Sequence, residues 1–222
     1  MIPERTVTIP AAGGPELEAG LALPAGARLG VVVCHPHPRY GGDMDSPVVV
    51  TAVEACRQRG LGGLRFNFRG VGASAGGWDE GRGEQDDVRA AVAYLRAQMK
   101  PPGRVALAGY SFGAAMATAV AAAGEPLAGL ALIAPPLAAP SWRFPGRLVV
   151  DGPILIVAGS ADAYCPAEAL ATLTAGIPAA TATVIGTAPE TFCPSFGVTK
   201  STSPLKAHSS LAGAEKSESL SQ

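Results

Sequence analysis

The sequence predicts an α/β domain: a mostly parallel central sheet with helices on both faces, followed by a disordered C-terminal tail. Three observations carry this. Short apolar runs alternate with longer runs of helical period along most of the chain. The middle strand-like runs are apolar and β-branched at every position rather than at alternate ones, as in a parallel sheet covered by helices on both sides. Finally, Val105–Ala108 breaks at Gly109-Tyr110-Ser111-Phe112-Gly113 and continues as an alanine-rich helix, a strand-to-helix crossover with a serine at its tip.

In chain order, Thr6–Pro10 and Leu17–Leu23 read as strands with only a Gly/Pro turn between them, which predicts an antiparallel edge. Leu29–Cys34 follows as a strand, Pro47–Gly60 as a helix and Gly63–Phe68 as a strand. Gly83–Met99 is predicted helical because Val88, Ala91, Val92 and Leu95 recur at i, i+3, i+4 and i+7. Its acidic start, Glu84-Gln85-Asp86-Asp87, places negative charge at the favourable end of the helix dipole. Val105–Ala108, Leu127–Ile133, Ile154–Ala158 and Ala180–Ile185 complete the strands, and Gly113–Ala123 and Pro166–Ala175 the helices. No internal repeat is visible.

The 222 residues, 48% of them hydrophobic, suffice for one domain with a substantial core. A net charge of −1 and the lack of any basic run provide no field for nucleic acid or an acidic membrane. The first residues, Met1-Ile2-Pro3-Glu4-Arg5, have no apolar stretch of the signal-peptide kind. Val105–Gly124 is uncharged for 20 residues, but Gly109, Ser111 and Gly113 interrupt it, and a buried strand-turn-helix accounts for it better than a membrane span. Cys34, Cys56, Cys165 and Cys193 show no paired spacing, so reduced thiols and a cytoplasmic location are expected. Composition changes near residue 186: residues 1–186 hold 13 Arg, 1 Lys and 5 Ser, whereas residues 187–222 hold 0 Arg, 3 Lys and 8 Ser. This places a domain at 1–186 and an atypical tail at 187–222; Thr199–Gln222 reads as disorder. The switch from Arg to Lys has the look of a change of coding source or reading frame.

Ser111 is the candidate nucleophile, with its Oγ exposed at the turn and the N–H groups of the next helix aimed at any oxyanion formed there. The pentapeptide alone is weak evidence, since this composition yields roughly 0.2 copies of G-x-S-x-G by chance. Gly72-Ala73-Ser74-Ala75-Gly76 matches it too, but no helix opens at its second glycine, so Ser111 is preferred to Ser74. Gly70-x-Gly72-x-x-Ala75 mimics a dinucleotide fingerprint, without the helix that must start inside it or the acid about 20 residues on; no cofactor is expected. Asp162 leaves the carboxyl end of the strand Ile154–Ala158, on the rim that carries Ser111, and is the candidate acid to orient a base. Its alternative is to cap the helix that begins near Pro166. His35 and His37 have two readings as well. With Asp43 and Asp45 they make a conceivable metal set, but two prolines break the strand geometry. A structural role for His35, bonding its loop to backbone, fits better, and no metal is expected.

Four features in this order resemble the α/β-hydrolases: His35-Pro36-His37-Pro38 with Gly41-Gly42, Arg69-Gly70-Val71-Gly72-Ala73-Ser74, the Gly109–Gly113 elbow, and Gly159…Asp162…Pro166. The likeness runs from about residue 5 to about 186 and is nearest to small lidless bacterial members, similar to dienelactone-hydrolase-like and X-Pro-dipeptidyl-peptidase-like enzymes. It implies the α/β-hydrolase fold and a Ser-Asp-His triad in that chain order. It also implies oxyanion donors at the N–H of Phe112 and of one residue after the third strand; Pro36 and Pro38 carry no N–H, which leaves His37. The family's histidine belongs at about 187–190, where this chain has Thr187-Ala188-Pro189-Glu190. His208, in the tail, is the one downstream histidine and the remaining candidate base.

The expected function is therefore a serine hydrolase acting on small ester, thioester or amide substrates through an acyl-Ser111 intermediate, impaired by the missing histidine. The alternative is a non-catalytic protein of the same fold: a pseudoenzyme, binding module or product of an altered reading frame. Tyr40, Trp78, Tyr110 and Trp142 are candidates to wall the acyl pocket, each equally compatible with ordinary core or rim. The short segment Pro135–Gly152 leaves no room for a large lid, which favours small soluble acyl substrates as partners. The oligomeric state is not legible.

Overall fold

The structure is a computed structural model and describes residues 3–10, 14–140, 142, 144–145, 148–177 and 180–185. The expected boundary near residue 186, the tail, His208 and Cys193 lie outside the described residues. Eight strands form one sheet: β1 (Arg5–Ile9), β2 (Leu17–Ala22), β3 (Leu29–Cys34), β4 (Gly62–Phe66), β5 (Arg104–Tyr110), β6 (Leu130–Ile133), β7 (Ile154–Gly159) and β8 (Ala180–Ile185). Their spatial order is β1-β2-β4-β3-β5-β6-β7-β8. β2 pairs antiparallel with both β1 and β4, and every other pair is parallel. Four helices accompany them: α1 (Pro47–Gln58), α2 (Arg82–Gln98), α3 (Phe112–Ala122) and α4 (Ala167–Ala175). A 3-10 turn at Pro38–Tyr40, absent from the sequence reading, sits in the loop after β3.

The sheet order explains where chemistry can occur. The chain builds outward through β3 and β4, then returns to the other side of β3 with β5. The loops after β3 and β5 therefore diverge at the carboxyl rim and leave a crevice between them. α2 packs on the sheet through Val88, Ala91, Val92 and Leu95, all fully buried; the side chains of Val88, Val92 and Leu95 are each worth about 1.5–3 kcal/mol. Its acidic start does more than complement the dipole. The Glu84 carboxylate is buried and accepts from the N–H groups of Asp79 (2.8 Å) and Gly81 (2.7 Å). Buried Asp87 accepts from the Arg69 backbone N–H (3.0 Å) and from its guanidinium (2.7 Å to Nη2). Gly83 makes room for that guanidinium, since a Cβ there would meet Arg69 Nη1 at 1.8 Å.

Two expectations require correction. The sixth strand begins at Leu130, not Leu127, because Leu127 and Ala128 belong to the turn after α3; buried Leu127 there accepts from the Asp151 N–H (2.9 Å). Nor is every middle strand covered on both faces. β7 buries Ile154, Ile156 and Ala158 on one side but leaves Leu155 41% exposed on the other. The uncharged stretch from Val105 divides into β5 and α3, and no helix among the described residues is long and apolar enough to cross a membrane.

Candidate active site

Ser111 is the junction between β5 and α3, and its backbone lies at φ 52°, ψ −114°, a conformation L-residues rarely adopt. Such strain costs of order 1–3 kcal/mol and persists only where the surroundings enforce it. Here the Ser111 N–H donates to Ile133 O (2.9 Å), and the Ser111 carbonyl accepts from the N–H groups of Ala114 (2.9 Å) and Ala115 (3.2 Å). The glycines of the pentapeptide do not supply the reversal. Neither Gly109 nor Gly113 has positive φ; the serine itself does. What they supply is proximity. A Cβ on Gly109 would lie 2.2 Å from Gly113 O, and one on Gly113 would lie 2.3 Å from Cys34 O. Helix α3 thus crosses directly over the ends of β3 and β5. Its first two N–H groups, of Phe112 and Gly113, make no hydrogen bond among the described residues and sit at the helix N-terminus that Ser111 begins.

The loop after β3 forms the opposite wall. A Cβ on Gly42 would fall 2.2 Å from Pro36 O, so the loop closes on itself only with glycine at that position. The His37 carbonyl accepts from the N–H groups of Tyr40 (3.0 Å) and Gly42 (3.1 Å), and His37 Nδ1 accepts from the Arg39 N–H (3.2 Å). That last bond places the proton of a neutral His37 ring on Nε2. Burial and the nearby Arg39 charge lower the His37 pKa, with Glu84 acting weakly the other way. Among the described residues the backbone N–H groups of His37 and Phe112 make no hydrogen bond. The two rings lie 4.9 Å apart between centroids, so the loop after β3 packs against the first turn of α3.

His35 is fully buried and bonded at both nitrogens: Nε2 accepts from the Phe68 N–H (3.0 Å) and Nδ1 donates to Pro36 O (2.6 Å). Burial holds its pKa down at about 4. With no nitrogen to spare, it serves neither as a metal ligand nor as a base. Asp45 is ion-paired with Arg65 on β4, and Asp43 accepts from the Asp45 N–H (2.9 Å), so both acids of the rival metal set are already engaged. Ser74 is equally committed: its buried Oγ donates to Asn67 O (2.7 Å) and accepts from the Glu18 N–H (2.9 Å).

Asp162 lies in the turn after β7. Its Oδ1 accepts from the N–H groups of Tyr164 (2.9 Å) and Cys165 (3.2 Å), while α4 is capped by Pro166 without any side-chain bond. It therefore braces the turn rather than capping the helix. Oδ2 makes no hydrogen bond among the described residues. The pKa values of Tyr110 and Cys165 rise through burial first and the Asp162 charge second, the thiol to about 11. Tyr110 precedes Ser111 directly, so this acid acts on the nucleophile's own rim. Tyr40 and Trp78 both stack on His37, at 4.7 Å each. Tyr110 and Trp142 join no such ring contact among the described residues, and Trp142 packs against the core instead. The sequence reading missed Asn67 and Glu18: Asn67 accepts from the Met44 N–H (2.8 Å) and donates to Glu18 (2.8 Å), tying the loops after β3 and β4 to β2. No local motif signals that pairing; only the sheet order creates it.

This fold, with a strained serine at the β5–α3 crossover and an acid after β7, defines an α/β hydrolase. Comparison with known proteins is specific: the X-Pro dipeptidyl-peptidase (S15) family matches residues 13–172, and the chain belongs to that family. A lidless α/β serine hydrolase of Xanthomonas campestris is 36% identical over 82% of this chain and 84% of that one, with a TM-score of 0.73. An α/β serine hydrolase homologue of Coxiella burnetii is 32% identical over 82% and 86% of the respective chains, also at 0.73. An uncharacterised Rickettsia prowazekii protein is 42% identical over 83 residues, which span 37% of this chain and 35% of that protein.

Proposed function

We propose that the chain hydrolyses small esters, thioesters or amides through an acyl-Ser111 intermediate, with a rate limited by its incomplete triad. The observation that carries this reading is the backbone of Ser111, held at φ 52° beside helix N–H groups without an acceptor. In the reaction, Oγ adds to the substrate carbonyl as its proton passes to a base. The resulting oxyanion accepts from the Phe112 and His37 N–H groups, and the leaving group departs with the proton. Water then repeats the sequence on the acyl-serine. Asp162, with Oδ2 available, is positioned to orient an imidazole.

The base is the weak point. The chain has three histidines. His35 is bonded at both nitrogens, and His37 carries its proton on Nε2 while Nδ1 is occupied. His208 remains, outside the described residues. That inventory favours a second reading, a non-catalytic member of the fold. A fluorophosphonate probe separates the two, because it labels an activated serine. The expected result is slow labelling confined to Ser111, abolished in Ser111→Ala and unaffected in Ser74→Ala. Losing the base of a serine triad costs on the order of 10⁶ in kcat. Turnover of an activated short-chain ester should accordingly be slow and little changed in His208→Ala. Fast turnover lost in both Ser111→Ala and His208→Ala would show that the tail completes the triad, and no labelling at all would favour the non-catalytic protein.

A further inference from the structure

Four rings from three separate segments meet next to Ser111. His37 and Tyr40 come from the loop after β3, Trp78 from the loop before α2, and Phe112 from the first turn of α3. His37 is the hub, 4.7 Å from Tyr40, 4.7 Å from Trp78 and 4.9 Å from Phe112, and Trp78 also meets Phe112 at 5.2 Å. The cluster has a rigid backing: Phe112 packs edge-on against buried Phe68 at 5.6 Å, and Phe68 against buried Phe66 at 5.0 Å. Its outer member is open, since Tyr40 is 80% exposed. Phe112 follows Ser111 directly, so the cluster begins one residue, about 3.8 Å of backbone, from the nucleophile.

Acyl transfer at Ser111 does not explain these side chains, because oxyanion binding uses only the backbone N–H groups of His37 and Phe112. A ring cluster that is half-buried at His37, Trp78 and Phe112 and open to water at Tyr40 is matched by a flat apolar ring, which stacks offset or edge-on against it. Charge argues against the other common occupant of aromatic clusters, a cationic group. Arg39 neighbours the hub, and the nearby Glu84 carboxylate is buried and already bonded to two backbone N–H groups. We propose that the His37–Tyr40–Trp78–Phe112 cluster is a recognition site for an uncharged planar aromatic ring attached to the scissile group, making aryl acids or aryl alcohols the preferred ester components. This rests on the hydrolase reading only for the place of Ser111.

The test uses Ser111→Ala protein, which binds without turning over, and two ester pairs read by ligand-observed NMR titration. Methyl benzoate against methyl cyclohexanecarboxylate places the ring on the acyl side, and phenyl acetate against cyclohexyl acetate places it on the alcohol side. Tyr40→Ala, a surface change, and Trp78→Leu are each added to that background. The aryl-to-cyclohexyl affinity ratio is expected to fall about 2–10-fold in both variants, within the pair whose ring occupies the site. Ratios unchanged in both pairs, or no saturable binding of any ester, would overturn the proposal. Ring binding that persists in a protein refusing the fluorophosphonate would overturn the hydrolase reading alone.

Discussion

His35 shows how one side chain is fixed by its surroundings rather than by its motif. Two prolines flank the next residues, and the ring spans the loop after β3 and the N–H of Phe68, which follows β4. Because Nε2 accepts, protonation breaks that bond as well as burying a charge. The folded pKa of about 4 lies below the ordinary 6.5, so the unfolded chain takes up the proton first. The stabilisation is complete above about pH 6.5 and is lost as pH falls towards 4, amounting to ~3 kcal/mol across that window. Urea unfolding at pH 7 and pH 5 should show the wild type losing stability between the two. His35→Gln should be less stable at pH 7 yet flatter with pH, and an unchanged pH slope would refute this role. Ser74 teaches the same lesson in reverse: its pentapeptide matches G-x-S-x-G as that of Ser111 does, but its hydroxyl is spent on Asn67 and Glu18.

Among the elements, the β5–α3 unit is the most demanding. Eight of the eleven residues of α3 are buried, and most are Gly or Ala, so the helix lies against the sheet at a distance larger side chains would forbid. At Gly113 the limit is absolute in direction: the added Cβ points at backbone, Cys34 O at 2.3 Å, which has no rotamer through which to yield. Gly113→Ala is therefore expected to cost about 1–3 kcal/mol or more. It should also weaken fluorophosphonate labelling by displacing the Phe112 N–H. Chemical denaturation and labelling rate, measured on one preparation, check both effects. Wild-type stability together with wild-type labelling would show that the crossover is looser than described. Gly77, where an added Cβ meets nothing within 4 Å, serves as the control position.

At the scale of the whole sheet, cover among the described residues is uneven. α1 packs against β3, β4 and β5 on one face, whereas β7 presents Leu155 to solvent, and Ile185 on β8 is exposed too. Parallel strands normally have helices on both sides. An open apolar face of this kind binds hydrophobic dyes. Leu155→Thr should reduce anilinonaphthalene sulfonate fluorescence while changing the unfolding midpoint little, because surface substitutions usually stay within ±0.5 kcal/mol. A large loss of stability instead would mean that Leu155 is covered in solution.

Much of this molecule is legible in the chain itself. The period of Val88, Ala91, Val92 and Leu95, the apolar runs and the glycine pair at 109 and 113 are local patterns, and local patterns dictate strand, helix and crossover. They also single out Ser111 and Asp162, because both follow a strand end and strand ends of a parallel sheet share a rim. What the sequence could not hold is the outcome of competition for partners between distant segments. Only the tertiary structure decided that His35 is bonded at both nitrogens and that Glu18, 56 residues from Ser74, claims its hydroxyl. Only the fold brought Trp78 and Phe112 to the imidazole of His37. Those contacts depend on strand order, which places residues far apart in sequence side by side, and no window along the chain contains both members of such a pair.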